Sequence, residues 1–111
     1  MSTADLTSRA RQAAVFAALG DPTRLYLLDR LVVGPALSIA ELTEGADLTR
    51  QAVTKHLHAL EEVQLVKSMR AGRATLYEAD AARLREARAY LDFVAGQWDD
   101  ALARLAAHVD S

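Results

Sequence analysis

The sequence predicts a mainly α-helical fold with one small β-hairpin, and three observations support this. Apolar residues recur at helical spacing along most of the chain, interrupted by capping residues, glycine and proline. Two short helical segments between residues 38 and 63 are joined by a glycine-containing turn. Two short runs with β-branched and aromatic residues then flank a glycine, and a long apolar stripe follows.

The first two helices are separated by the segment "GDPTR". An alanine-rich helix is expected from about residue 6 to residue 19. Asp21 is a suitable N-cap for the second helix, and Pro22 lies at its first position, where the missing N–H costs nothing. In "TRLYLLDRLVV" the spacing places Leu25, Leu28 and Val32 on one face, with Leu27 and Leu31 beside them. The second helix ends at Gly34-Pro35.

A helix-turn-helix is predicted over about residues 38–63. Ser38 and Glu41 form a capping box that starts a short helix, which ends near Gly45. Thr49 then caps a second helix, whose inner side carries apolar residues at helical spacing: Val53, Leu57, Leu60 and Val63. Two short helices joined in this way are typical of the motif.

The remaining elements are a two-stranded hairpin over about residues 65–78 and a long helix over about residues 80–107. The hairpin turns at Arg70-Ala71-Gly72-Arg73, and Asp80 caps the final helix. The stripe of that helix is Leu84, Ala87, Leu91, Val94, Trp98, Leu102 and Leu105, close to the seven-residue repeat of a helix that pairs with another helix. The full order predicts one winged helix-turn-helix domain over residues 1–111.

Composition excludes several classes of protein. The chain has no cysteine, so a disulfide framework, a thiolate zinc site and a cysteine nucleophile are excluded. No signal pattern and no membrane-spanning apolar run is present, and we expect a cytoplasmic protein without membrane contact. Net charge is −2, but residues 49–77 contain five basic and two acidic residues, which concentrates positive charge around the motif.

Three segments resemble the ArsR family of bacterial winged-helix repressors. The segment "LGDPTRLYLLDRL" resembles the second-helix signature of the family. The segment "LTRQAVTKHLHALEEVQLV" resembles its recognition helix, and "RAGRATLY" resembles its wing. The resemblance implies a homodimer that binds a near-palindromic operator in double-stranded DNA and represses transcription, with the recognition helix in the major groove.

The matched recognition segment and wing, together with His58 and Lys67 beside the matched positions, give the expected DNA contacts, which are Thr49, Gln51, Thr54, Lys55, His56, His58, Lys67, Arg70 and Arg73. Gln51 can bond adenine through N6 and N7, and Thr54 can donate, accept or touch a thymine methyl. The hairpin cations would meet backbone phosphate or the minor groove. His58 departs from the basic residue often found at its position in the family.

The first and last helices are expected to form the dimer interface. In the family these helices pair across the two-fold axis. The corresponding residues here are Ala10, Ala14, Leu84, Leu91, Val94, Trp98, Leu102 and Leu105. Tyr90, Phe93 and Trp98 are also candidates for a small-molecule pocket, but the position of Trp98 in the stripe favours a dimer core.

We expect no cofactor, metal ion or catalysis. His56 and His58 are two residues apart on a helix and cannot hold one ion together, and His108 has no second histidine nearby in the chain. The alternative metal site is one that His108 forms with a carboxylate of the other protomer. No nucleophile–base pair or phosphate-binding glycine loop indicates an enzyme. The alternative function is a winged-helix adaptor that binds protein instead of DNA, and the five basic residues of the motif and wing favour DNA. The sequence does not identify an effector.

Overall fold

The structure is a computed structural model that describes the backbone of residues 2–110 and the side chains of residues 2, 3 and 6–110. In chain order the elements are α1 (Thr3–Leu19), α2 (Pro22–Val33), β1 (Leu37–Ser38), α3 (Ile39–Thr43), α4 (Arg50–Glu62), β2 (Val66–Ala71), β3 (Ala74–Ala79) and α5 (Ala81–Asp110). This order of helices around a small sheet is the predicted winged helix-turn-helix.

The turn between α1 and α2 forms as the sequence predicts. Asp21 caps α2, and its Oδ1 accepts hydrogen bonds from the N–H groups of Thr23 at 2.9 Å and Arg24 at 3.0 Å. The Nε of Arg24 donates to the carbonyl oxygen of Ala18 at 2.6 Å, which ties the start of α2 to the end of α1. The angle between these two helices is therefore held by side-chain bonds as well as by packing.

The buried face of α2 differs from the face suggested by spacing. Leu27, Leu28 and Leu31 are buried, whereas Leu25 is 44% exposed and Val32 is 53% exposed. The segment has so many apolar residues that two neighbouring faces fit the helical repeat, and packing against α4 and β3 selects one of them.

The helix-turn-helix is held by caps and by one cross-helix arginine. Ser38 and Glu41 form the predicted capping box at α3. Gly45 has a φ of 75° in the turn that follows, a conformation that favours glycine. Arg30 of α2 donates from Nη1 to the carbonyl oxygen of Leu42 at 3.0 Å, which fixes the end of α3.

The hairpin of β2 and β3 is joined by a third strand that the sequence pattern does not predict. The antiparallel sheet has the order β1-β3-β2, and β1 contributes only the pairs Leu37↔Tyr77 and Ser38↔Leu76. The hairpin turn is tighter than expected because Ala71 pairs with Ala74, which leaves Gly72 and Arg73 at its tip. Gly72 adopts a φ of 65° there.

The core lies where α1, α2, α3, α4 and the sheet meet. Its largest fully buried side chains are Val15, Leu27, Leu42, Val53, Leu57, Leu60, Leu65 and Val66. Because three of these residues lie on α4, the inner face of that helix is firmly packed. Replacement of a leucine of this kind by alanine typically costs about 2–5 kcal/mol of stability.

The final helix extends well beyond this core. Asp80 accepts a hydrogen bond at Oδ1 from the Arg83 N–H at 3.2 Å, as a capping residue does. Of the residues in α5, only Ala87 is buried. The chain measures 66 × 32 × 21 Å, so the C-terminal part of α5 projects from the rest of the protomer.

Candidate nucleic-acid interface

The helix α4 combines a firmly anchored inner face with a polar outer face. Val53, Leu57 and Leu60 are completely buried on its inner side. The helix begins where predicted, because the Thr49 Oγ1 accepts the Ala52 N–H at 3.0 Å. A helix fixed in this way presents its opposite side chains at defined positions.

The outer face of α4 lines a shallow, open hollow. It brings together four of the predicted contacts with three further residues, and the full set is Arg50, Gln51, Thr54, Lys55, His58, Ala59 and Glu62. Gln51, Lys55 and His58 are exposed, whereas Thr54 is half-buried. His58, whose role the family pattern left in question, thus lies with the other candidates on this face.

Two threonine hydroxyls on α4 are already used by its backbone. The oxygen of Thr49 accepts the capping hydrogen bond, which leaves its hydroxyl proton for another acceptor. Thr54 Oγ1 donates to the Arg50 carbonyl oxygen at 2.7 Å. The free groups of Thr54 are therefore its methyl group and the lone pairs of its oxygen.

His56 lies apart from this face. Its Nδ1 is buried and has no hydrogen-bond partner among the described residues. The side chain is near the N-terminus of α2, where the backbone hydrogen bonds from Arg24 and Thr23 lower the pKa of Asp21 and the neighbouring His56 and Arg24 side chains contribute to the same shift. His56 therefore lies at the packed side of α4, at the junction with α2.

The hairpin cations do not form one cluster. Arg70, near the end of β2, and Arg73, at the tip, are both exposed. Lys67 is three residues before Arg70 on β2, so strand alternation places the two side chains on opposite faces. The Lys67 Nζ lies 3.5 Å from the Glu78 Oε1, which is its cross-strand neighbour.

Arg50 and Glu62 also belong to the outer face, although they are not among the contacts that the sequence predicts. Both line the same hollow as Gln51. Arg50 immediately follows the predicted N-cap, so its position at the start of the helix was readable from the sequence. Glu62 lies four residues after His58, a spacing that places both on one side of a helix.

The expected dimer residues are mostly uncovered in the protomer. Trp98, Leu102 and Leu105 are 68%, 61% and 61% exposed, and Leu91 is 52% exposed. Ala10 and Ala14 of α1 are also exposed, whereas Leu84 and Val94 are half-buried. Tyr90 contacts Phe16 of α1, with 6.0 Å between ring centroids, and thereby joins α5 to α1.

The described residues were also compared with the requirements of a metal site and of a membrane-spanning helix. Among the side chains of residues 2, 3 and 6–110, no group of three or more histidines and carboxylates is placed to hold a metal ion. None of the helices in this range is long and apolar enough to cross a membrane.

Known proteins share both the sequence and the architecture. A family described as a helix-turn-helix domain matches residues 19–68. The HTH-type transcriptional regulator Rv2034 of Mycobacterium tuberculosis is 36% identical over 111 residues, which cover 100% of this chain and 95% of that protein. The solved structure of an ArsR-like transcriptional regulator from Rhodococcus sp. RHA1 is 36% identical with a TM-score of 0.79, and the match covers 89% of this chain and 92% of that one.

The chain belongs to the ArsR family. It is a DNA-binding transcriptional regulator of the winged helix-turn-helix type. The winged helix-turn-helix fold is also that of Mb0332 from Mycobacterium bovis, whose solution structure is described as a homodimeric DNA-binding domain. That structure has a TM-score of 0.70 and 24% identity, and the match covers 87% of this chain and 89% of that one.

Proposed function

We propose that this ArsR-family regulator is a homodimeric repressor that binds a near-palindromic operator through α4 and the hairpin. The observation that carries the proposal is the outer face of α4. Polar and basic side chains are exposed there on a helix whose other face is completely buried. Such a helix can enter the major groove while the hairpin reaches the neighbouring backbone.

The side chains of α4 are suited to different parts of the DNA, some to base edges and others to phosphates. Gln51 is suited to bond adenine, and Lys55 and His58 are suited to bond guanine or phosphate. Thr49 supplies a hydroxyl proton and the helix N-terminus supplies free amides, both of which suit a phosphate. His56 lies apart from the outer face, at the junction of α4 with α2, so it takes no part in reading bases in this proposal.

The hairpin supplies backbone contacts. Arg70 and Arg73 are exposed near the tip and lie within reach of a phosphate or a minor groove once α4 is docked. Lys67 is nearer the base of the hairpin and must leave Glu78 to make a similar contact. Because exposed ion pairs contribute little to stability, breaking the Lys67–Glu78 pair costs little free energy.

The dimer forms through the uncovered stripe of α5. Its apolar side chains are largely exposed in the protomer, and each contributes about 1.5–3 kcal/mol when it is fully buried. Ala10 and Ala14 are small and exposed, which allows α1 of one protomer to lie close to the helices of the other. A two-fold arrangement of this kind matches a near-palindromic operator, and the homodimeric state described for Mb0332 supports it.

The regulator acts in the cytoplasm without catalysis, cofactor or metal in this proposal. Its sequence has no cysteine, and its three histidines lie at three separate places on two helices. Thiophilic metals are usually bound by cysteine thiolates or by grouped histidines, and this pattern supports that part of the proposal.

A selection experiment tests the proposal. Duplexes that bind the protein are enriched from random DNA, and the enriched sequence is placed upstream of a reporter gene. We expect a near-palindrome whose half-sites are about one helical turn apart, and lower reporter expression when the regulator is present. The matched variant Gln51→Ala should change the preferred base at one position of each half-site. Enrichment of no sequence would favour the adaptor alternative.

A further inference from the structure

We infer that Arg50 reads a guanine in each half-site and is a specificity-determining residue of this regulator. This inference rests on the proposed function. Arg50 is the first residue of α4 and lines the same hollow as Gln51 and Thr54. Residues in the first turn of a recognition helix are those closest to the base edges.

The guanidinium of Arg50 is not used to hold the protomer together. Among the side chains that the structure describes, which are those of residues 2, 3 and 6–110, Arg50 has no hydrogen-bond or ion-pair partner. Three other helical arginines differ in this respect. Arg24 bonds the Ala18 carbonyl, Arg30 bonds the Leu42 carbonyl, and Arg83 bonds Gln64 and Glu86. The donors of Arg50 are therefore all available to a ligand.

The position of Arg50 is fixed by the backbone around it. Thr49 caps the helix immediately before it, and Thr54 donates to the carbonyl oxygen of Arg50 itself. The Cα of Arg50 is thus held in the first helical turn, and the side chain is the only part free to move. The guanidinium is planar and can donate two parallel hydrogen bonds. The O6 and N7 atoms of guanine are two acceptors in one plane and match this geometry.

The hydrogen bond from Thr54 to the Arg50 carbonyl oxygen gives these two residues different roles toward DNA. Thr54 lies one turn after Arg50 on the same side of α4, and its hydroxyl proton is used within the helix. Arg50 therefore supplies the donors in this part of the surface, while Thr54 supplies a methyl group. A methyl group suits the thymine C5-methyl, so guanine and thymine are expected at neighbouring positions of the half-site.

A contact between Arg50 and a backbone phosphate must be distinguished from a contact with guanine. An arginine that bonds only a phosphate contributes to every sequence equally, and its loss also reduces the dependence of affinity on salt. Lysine retains the positive charge but cannot form the two parallel hydrogen bonds of the guanidinium. The substitution Arg50→Lys therefore separates base reading from charge.

The experiment compares wild type, Arg50→Lys and the control Arg104→Lys on one DNA set. Arg104 is exposed on α5, far along the chain from the motif. The set is every single-base variant of the duplex that wild type enriches from random DNA. Affinity is measured at two or more salt concentrations, and thermal unfolding checks that each variant is folded.

Arg50→Lys should lose about tenfold or more of the preference for guanine at one position of each half-site. Its salt slope should stay that of wild type, and Arg104→Lys should change neither quantity. An unchanged guanine preference, or an equal loss on every duplex, would overturn the inference while the proposed function stands. Enrichment of no duplex by wild type would overturn both.

Discussion

Arg83 donates a hydrogen bond from Nη2 to the side-chain oxygen of Gln64, which joins the first turn of α5 to the loop that ends α4. Gln64 has a φ of 64°, and among the described residues it is the only non-glycine residue with positive φ. Its N–H donates to the Glu61 carbonyl oxygen at 2.9 Å, so this conformation closes the end of the helix. The left-handed conformation costs a residue with a side chain about 1–2 kcal/mol.

This relationship predicts a difference between two small substitutions at one position. Gln64→Ala removes the bond to Arg83 and keeps the backbone strain, so it should destabilise the protein. Gln64→Gly removes the same bond but also the strain. We expect the glycine variant to be about 1 kcal/mol more stable than the alanine variant in urea unfolding. Equal stability of the two variants would show that residue 64 carries no strain.

The starts of α2, α3 and α4 were predictable because their signals are local, whereas α1 begins at Thr3, about three residues before the expected start. Asp21, Ser38 and Thr49 each bond amides two or three residues further along the chain, and sequence spacing alone specifies such contacts. The outer face of α4 was predictable for the same reason, since it follows from the cap and from the helical repeat of the buried residues.

Features that depend on distant parts of the chain were not predictable in this way. The strand β1 has two residues and exists because Leu37 pairs with Tyr77, which lies far along the chain. The buried face of α2 depends on α4 and β3. The burial of the His56 Nδ1 depends on a neighbouring helix, and nothing in the local pattern distinguishes this histidine from His58.

The capping carboxylates predict how stability depends on pH. The backbone hydrogen bond from Arg24 is the main cause that lowers the pKa of Asp21, and the backbone hydrogen bond from Ser38 is the main cause that lowers the pKa of Glu41. A carboxylate whose pKa is lower in the folded state stabilises the fold above its unfolded pKa. This stabilisation is lost as the pH falls through the folded pKa.

Stability should therefore be flat near neutral pH and fall below about pH 4, where these two groups take up protons. Asp21→Asn should be less stable than wild type at pH 7, and the difference should shrink in acid. Asp100→Asn removes a carboxylate near the end of α5 and should leave the acid dependence unchanged. Urea unfolding at a series of pH values measures all three proteins. A constant difference between wild type and Asp21→Asn from pH 7 to pH 3 would contradict the assignment.

The hairpin predicts a change in affinity without a change in sequence preference. Arg73 is exposed at the tip and is proposed to bond phosphate, so Arg73→Ala should weaken operator and unrelated DNA by similar factors. The slope of log affinity against log salt should shrink by about one for each phosphate that Arg73 no longer neutralises. Arg104→Ala removes the same charge from the far part of α5 and should leave the slope unchanged. A reduction in affinity confined to one base position would instead make Arg73 a base reader.

The α5 stripe predicts that a charge in its middle will disrupt the dimer. Trp98 is 68% exposed in the protomer, although tryptophan is among the side chains that gain most from burial. In the proposed dimer this ring and its copy lie near the two-fold axis. Trp98→Glu would place an unpaired carboxylate there in both protomers. Burying two such groups should cost the dimer on the order of several kcal/mol.

Trp98→Glu should therefore be monomeric at micromolar concentration by light scattering, and its operator affinity should collapse although no DNA-facing residue is changed. The matched control is Gln97→Glu, which adds the same charge one residue away, about 100° around the helix. That variant should stay dimeric and bind as wild type does, because Gln97 is outside the stripe. The folded core should survive in both variants, since residue 98 contributes nothing to it. A monomeric wild type, or a dimeric Trp98→Glu with normal DNA binding, would show that the two copies meet through another surface.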